Sequence, residues 1–137
     1  FLNENIVLTP HPKEFVSLLK MSNIADITID ELQNNRFLYV EKFSKKYPEI
    51  VLLLKGANVI IAQNQKIYIN SFGTSSLSKG GSGDVLSGLI ASLLAQGYKP
   101  LEATINASLA HTLAAKNYCK NSYSLTPDDL IEEIKKL

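Results

Sequence analysis

The stretch Lys79-Gly80-Gly81-Ser82-Gly83-Asp84-Val85-Leu86-Ser87-Gly88 carries the strongest structural signal in this chain of 137 residues. A glycine-rich turn opens directly into a helical pattern, which runs from Asp84 to Gln96 and stops at Gly97. Glycines let a backbone fold tightly and approach a ligand closely. Free amides and the positive end of the helix dipole favour an anion at such a helix start. The stretch therefore predicts an anion site.

Asp84 stands at the start of that helix, where the dipole favours its ionised form. A carboxylate beside an anion site repels the ligand unless it has a chemical task. One task that fits is to accept the proton of a hydroxyl as that hydroxyl attacks phosphorus. The alternative is that Asp84 only caps the helix and that the glycines only form a turn. The spacing alone leaves both interpretations open.

The flanking sequence alternates short strands with helices, which is typical of an α/β layered fold. Strands are predicted at 6–8 and at the uniformly apolar run 50–54, and a hairpin at 59–62 and 66–70. Helices are predicted after Pro12, over 28–46, over 84–96, over 101–117 and after Thr126. The helix over 28–46 is expected to start with a capping box formed by Thr28 and Glu31.

Composition and charge exclude several classes of protein. The chain has 14 basic and 13 acidic residues, with no block of like charge, so nucleic-acid or membrane-surface binding is not indicated. Its apolar runs are far shorter than the roughly 20 residues of a membrane span. Cys119 is the single cysteine, which excludes an intrachain disulfide and fits a cytoplasmic protein.

Five further residues have both a functional and a structural interpretation. His11 lies between two prolines and is interpreted either as a ligand contact or as a surface turn residue. Lys55 follows a buried strand, where α/β proteins often place site residues, or it is a solvated strand end. Glu14 could simply favour the first turn of a helix. His111 is interpreted as a packing residue of an apolar helix, and Cys119 as an ordinary helix residue.

Three segments together resemble one known family. Gly-x-Gly-Asp opening a helix, here Gly81 to Asp84, is similar to the anion-hole motif of the ribokinase-like superfamily. Gly-Gly-Ser-Gly-Asp-Val-Leu-Ser-Gly followed by Leu-Leu-Ala-Gln-Gly resembles the NAD(P)H-hydrate dehydratases. Thr9-Pro10-His11-Pro12-Lys13-Glu14-Phe15 is similar to the family's Thr-Pro-His-Pro-Gly-Glu, and Leu54-Lys55-Gly56-Ala57-Asn58-Val59 to its Leu-Lys-Gly-x-x-Thr. The segments occur in the family's order across nearly the whole chain.

The resemblance implies a ribokinase-like three-layer α/β/α sandwich, with residues 1–137 as the C-terminal half of a single dehydratase domain whose N-terminal part is absent. It implies a lyase that repairs hydrated NADH or NADPH. ATP or ADP, with Mg²⁺, phosphorylates the ring hydroxyl, and phosphate is then eliminated. A homo-oligomer is expected, and an epimerase domain could be fused to the full-length chain. The isolated 137 residues are expected to be inactive.

The resemblance also assigns site residues. Asp84 would act as the base and contact the hydrate, together with His11. No direct metal ligand is expected, with Glu14 near the metal–phosphate network. Nucleotide contacts would come from Lys55, Gly56, Ala57, Asn58, Val59 and Gly83, and the phosphate anion hole from Gly80, Gly81, Ser82 and Gly83.

Two residues depart from the family pattern, and two other functions remain open. Lys13 replaces a glycine, and Val59 replaces a threonine whose hydroxyl would contact the nucleotide. One alternative is a kinase of the same superfamily acting on a vitamin-precursor alcohol, although such kinases usually carry Asn where His11 stands. The other is a non-catalytic nucleotide-binding module or an inactive fragment.

Overall fold

The computed structural model describes residues 6–119 and 121–137. The chain divides into two compact units, Phe1–Ile69 and Asn70–Leu137. The strands are β1 Val7–Leu8, β2 Val51–Leu54, β3 Val59–Gln63 and β4 Lys66–Asn70. The helices are α1 Pro12–Met21, α2 Ile29–Asn34, α3 Arg36–Lys46, α4 Ser82–Ala95, α5 Pro100–Asn117 and α6 Pro127–Ile134, and short 3-10 turns lie at Ser75–Leu77 and Ser122–Ser124. The α/β prediction is confirmed.

The sheet has the order β1-β2-β3-β4 within the described residues. Strand β1 pairs in parallel with β2, and β2 pairs antiparallel to β3 with Leu52 opposite Ala62. Asn64 and Gln65, with φ of 48° and 63°, join β3 to β4. Two consecutive left-handed residues are typical of a tight hairpin turn whose twist matches the strands. The predicted hairpin is therefore confirmed.

The core of the first unit surrounds β2, whose four residues are all buried. Phe15 of α1 and Phe43 of α3 pack edge to face, with ring centroids 5.8 Å apart. Each large apolar side chain buried in this way contributes about 1.5–3 kcal/mol relative to an exposed one. A uniformly apolar run forms a strand here because both of its faces are covered.

The single helix predicted over 28–46 is wrong, because the chain breaks at Asn35 (φ −134°, ψ 35°) between α2 and α3. The Asn35 side chain donates to the Glu31 carbonyl at 3.1 Å, and its backbone amide donates to the Leu32 carbonyl. The side chain thus occupies the Glu31 carbonyl, which the backbone amide of Asn35 would use in a continuous helix. Thr28 caps α2, but Glu31 does not complete the box, since its carboxylate accepts from the Tyr39 hydroxyl at 2.6 Å.

The second unit packs α4, α5 and α6 together, around a small core that includes Ala114, Leu125 and Leu130. The Asn70 amide donates to the hydroxyls of Ser108 and Thr112 at 2.9 and 3.2 Å, so its buried polar group is satisfied. The predicted helices at 101–117 and after Thr126 are confirmed. In the part of the chain that the structure describes, no helix is long and apolar enough to cross a membrane.

Candidate functional site

Helix α4 begins at Ser82, two residues before the predicted start at Asp84. Gly81 is the N-cap and adopts the left-handed conformation, with φ of 86°. Its carbonyl accepts from the amides of Asp84 and Val85, each at 3.1 Å. The sequence predicts that the turn extends through Gly83, but a single left-handed glycine at position 81 is enough to turn the chain. Ser82 and Gly83 therefore belong to the first turn of the helix.

Position 81 in this turn requires glycine. A β-carbon there would lie 2.6 Å from Cγ of Pro127, the first residue of α6, and the left-handed φ would also strain any side chain. Gly80 differs, because a β-carbon on it would meet no atom within 4 Å. The protein therefore packs tightly behind Gly81 and leaves open space beside Gly80, where an anion could approach the backbone.

Contacts with three other segments hold the turn. The Ser82 hydroxyl donates to the Leu77 carbonyl at 2.6 Å. The Lys79 ammonium donates to the Tyr123 carbonyl and, at 3.4 Å, to that of Leu125. His111 of α5 lies with Nε2 2.8 Å from the carbonyl oxygen of Ser82.

Asp84 occupies the third position of α4 and is exposed. Gly81, not Asp84, is the N-cap, and Asp84 is the acidic residue of the first helical turn. The helix-start role and the proton-acceptor role of Asp84 both stay predictions. The carboxylate borders an apolar cleft of about 440 Å³ between α4 and α6, lined by Asp84, Val85, Gly88, Leu89, Ile131, Ile134 and Lys135.

His11 and Glu14 cap the start of α1 reciprocally. His11 Nδ1 accepts from the Glu14 amide at 3.2 Å, and the Glu14 carboxylate accepts from the His11 amide at 2.7 Å. Since Nδ1 accepts, Nε2 carries the ring proton in the neutral ring, and it lies 3.3 Å from the other oxygen of Glu14. Both side chains remain about half exposed, at 49% and 55%. The capping role of Glu14 is present, and the ligand contacts of both residues stay predictions.

The segment after β2 lies beside the His11 turn, because the Lys55 amide donates to the Pro10 carbonyl at 2.9 Å. Gly56, Ala57 and Asn58 are exposed, while Val59 begins β3 with a buried side chain. A nucleotide contact at Val59 is therefore limited to its backbone.

Arg36 is a residue of this region that the sequence analysis did not identify. Its Nη2 donates to the carbonyls of Leu54 and Lys55 at 3.5 and 3.2 Å. Burial lowers the pKa of its guanidinium, and its Nε is buried without a hydrogen-bond partner in the described structure. No local motif marks it, because its partners lie 18 and 19 residues further along the chain.

The predicted residues thus fall into two sets. His11, Glu14 and the Lys55 segment lie in the first unit, and the glycine turn with Asp84 lies in the second. The structure brings members of each set together, and the grouping of both sets into one site stays a prediction.

Comparison with known proteins identifies the family, since residues 2–136 match the family described as NAD(P)H-hydrate dehydratase. The chain belongs to the NAD(P)H-hydrate dehydratase family. It is 56% identical over 136 residues to the bifunctional NAD(P)H-hydrate repair enzyme Nnr of Helicobacter pylori, covering 99% of this chain and 29% of that protein. It is 36% identical over 133 residues to the ADP-dependent (S)-NAD(P)H-hydrate dehydratase of Nitrosopumilus maritimus, and the match covers 96% of this chain and 44% of that protein.

Solved structures of the dehydratase family and of its superfamily share the fold. The ADP/ATP-dependent NAD(P)H-hydrate dehydratase of Bacillus subtilis, co-crystallized with ATP/Mg²⁺, matches with a TM-score of 0.82 at 28% identity, over 95% of this chain and 46% of that one. A ribokinase-like superfamily protein of Enterococcus faecalis matches with a TM-score of 0.78 at 25% identity, over 97% and 43%. The predicted ribokinase-like fold is confirmed. The chain spans less than half the length of each of these four proteins.

Proposed function

We propose that this chain supplies the phosphate-binding part of an ATP- or ADP-dependent NAD(P)H-hydrate dehydratase. The observation that carries the proposal is the turn at Gly80 to Gly83, which opens α4 and leaves Asp84 exposed in the first helical turn. Open space beside Gly80 gives a phosphate access to the backbone. Membership of the dehydratase family supplies the substrate class.

The chemistry requires a base and an electrostatic cradle. The ring hydroxyl of the hydrate attacks the terminal phosphorus of the nucleotide, and Asp84 accepts the hydroxyl proton while the bond from phosphorus to the nucleotide breaks. Amides at the start of α4, including that of Gly83, stabilise the charge on the transferring group. Loss of phosphate together with a proton from the neighbouring ring carbon then restores the double bond of the reduced nicotinamide.

The nucleotide contacts are proposed at the segment after β2. Lys55 offers a point charge for phosphate, and Gly56, Ala57 and Asn58 are exposed to a ligand. The Bacillus subtilis relative is ADP/ATP-dependent by name, and the Nitrosopumilus maritimus relative is ADP-dependent. Both nucleotides are therefore proposed as phosphate donors for this protein.

The residues present fit a magnesium ion that arrives with the nucleotide. Over residues 6–119 and 121–137, no group of three or more His, Cys, Asp or Glu side chains could hold a metal ion. Mg²⁺ is usually held by substrate phosphates, waters and one or two carboxylates, and it neutralises phosphate charge. Glu14 would be an indirect partner of that ion, and His11 beside it is proposed to contact the hydrated dinucleotide.

The matched relatives are longer than this chain, and some are bifunctional by name. We infer that residues 1–137 form the C-terminal part of a larger dehydratase domain, with an epimerase domain as a further fusion partner. A cytoplasmic homo-oligomer is proposed. Size-exclusion chromatography with light scattering would test its oligomeric state.

The proposed function is tested by following the recovery of NADH or NADPH absorbance from the hydrate with ATP or ADP and Mg²⁺. We expect turnover by the longer protein and little by residues 1–137 alone, because phosphoryl transfer depends on positioning and on excluding water. Efficient turnover by the 137-residue chain would refute its assignment as part of a domain. A phosphorylated vitamin-precursor alcohol without dinucleotide recovery would instead indicate a kinase.

A further inference from the structure

A buried histidine contacts the backbone at the end of the glycine turn. His111 lies in the middle of α5 and is 6% exposed, with Nε2 2.8 Å from the carbonyl oxygen of Ser82. Because a carbonyl oxygen only accepts, Nε2 must donate. Burial lowers the pKa of His111 and so favours the neutral ring, although the bond to Ser82 opposes the shift. A neutral ring that donates through Nε2 has no proton on Nδ1.

The hydrogen bond to the Ser82 carbonyl also affects the neighbouring Gly83 N–H. The Ser82 carbonyl and the Gly83 N–H belong to the same peptide unit, which is planar and trans, so they point in opposite directions. With the carbonyl drawn towards the buried His111, the Gly83 N–H is directed away from α5. As one of the first four N–H groups of α4, it has no acceptor within its own helix.

We propose that His111 is a positioning residue that aims the Gly83 amide at the transferring phosphate. This inference rests on the proposed function of the glycine turn. The other tethers of the turn act elsewhere, since the Ser82 hydroxyl bonds Leu77 and the Lys79 ammonium bonds Tyr123 and Leu125. They hold side chains, whereas His111 bonds the carbonyl of the Ser82–Gly83 peptide itself.

The chemistry of position 111 supports a specific role over simple packing. Its buried neighbours on α5 include Ala107, Ala114 and Ala115, and an apolar residue would fill the same space without burying a ring nitrogen. A buried polar side chain is favourable only when its hydrogen bonds are made. The hydrogen bond that His111 makes is to the first residue of α4.

Three variants of the protein that contains this chain test the proposal. His111→Leu removes the donor and keeps an apolar side chain, while His111→Gln keeps an N–H donor. Thr104→Val is the matched control, because Thr104 is also buried on α5 but donates to Pro100 of its own helix at 2.7 Å. The measurements are kcat, the KM of the hydrate and of the nucleotide, the calorimetric Kd of ADP with Mg²⁺, and Tm.

We expect His111→Leu to lower kcat on the order of 10–100-fold, because a misdirected amide loses its contact where charge develops. His111→Gln should recover most of that loss, and the KM of the hydrate should change least. Thr104→Val should lower Tm with kcat unchanged. A folded His111→Leu protein with kcat within about twofold of wild type would overturn the proposal, as would an equal kcat loss in Thr104→Val.

A measurement on the wild-type protein keeps the proposal testable if His111→Leu does not fold. The amide resonance of Gly83 should shift when ADP and Mg²⁺ are added to a nitrogen-labelled sample. A Gly83 resonance that stays in place while those of Gly80 and Gly81 move would refute the proposal. Wild type that binds ADP without converting the hydrate would refute the proposed function alone, and the Gly83 resonance would still report whether its amide meets the nucleotide phosphate.

Discussion

The guanidinium of Arg36 lies 2.7 Å from the point that a β-carbon on Gly56 would occupy. The same guanidinium donates to the carbonyl of Lys55 at 3.2 Å. Gly56 has φ of 156°, at the border of the region that L side chains rarely adopt. Position 56 therefore has room for hydrogen alone while Arg36 holds the preceding carbonyl.

Gly56→Ala is expected to lower the free energy of unfolding by about 1–3 kcal/mol, because the new methyl group displaces the guanidinium and strains the backbone. Nucleotide affinity should fall as well if the Lys55 segment binds the nucleotide. Urea unfolding measures the first effect and calorimetry the second. Gly88→Ala is the control, since a β-carbon there meets no atom within 4 Å and α4 gains a better helix former. Equal stability of the two variants would contradict the expectation.

Gly80→Ala and Gly81→Ala should separate a ligand-binding glycine from a structural one. Gly81→Ala should cost about 1–3 kcal/mol of stability, since φ of 86° and Pro127 both oppose a side chain. Gly80→Ala should leave urea unfolding nearly unchanged but weaken binding of ADP and Mg²⁺, because its methyl group occupies space proposed for phosphate. Undiminished affinity in Gly80→Ala would argue against an anion site at that position.

Asp84→Asn should abolish turnover while leaving fold and nucleotide affinity intact, since an amide cannot take a proton. The expected loss in kcat is on the order of 10²–10⁴-fold. The assay is recovery of NADH absorbance from the hydrate, with circular dichroism and ADP affinity as checks on folding and binding. Turnover within a few-fold of wild type would show that Asp84 is not the base.

His111 should make stability depend on pH. Its pKa is lowered in the folded state, so the unfolded chain binds its proton more readily. The stabilisation from a neutral His111 is present above its unfolded pKa of about 6.5 and is lost as pH falls through the lower folded value. The Tm of wild type should therefore fall more than that of His111→Gln between pH 7.5 and pH 5. Parallel Tm curves for the two proteins would contradict this.

Local patterns were sufficient for much of the fold. The apolar run 50–54 predicted a buried strand, the Asn64-Gln65 pair predicted a hairpin turn, and Gly97 predicted the end of α4. In each case the signal and the structure that it predicts lie within a few residues of each other. The helix break at Asn35 is the exception. The segment has good helical periodicity, but the Asn35 side chain competes for the Glu31 carbonyl.

The sequence by itself determined the strand and helix types, the glycine turn before a helical aspartate, and the dehydratase resemblance that the family match confirmed. Only the tertiary structure decided which glycine is required, because the demand on Gly81 comes from Pro127. The same holds for His111 and Arg36, whose backbone partners lie 29 and 19 residues away. Hydrogen bonds and steric contacts depend on distance in space, and sequence periodicity reports only on neighbours along the chain.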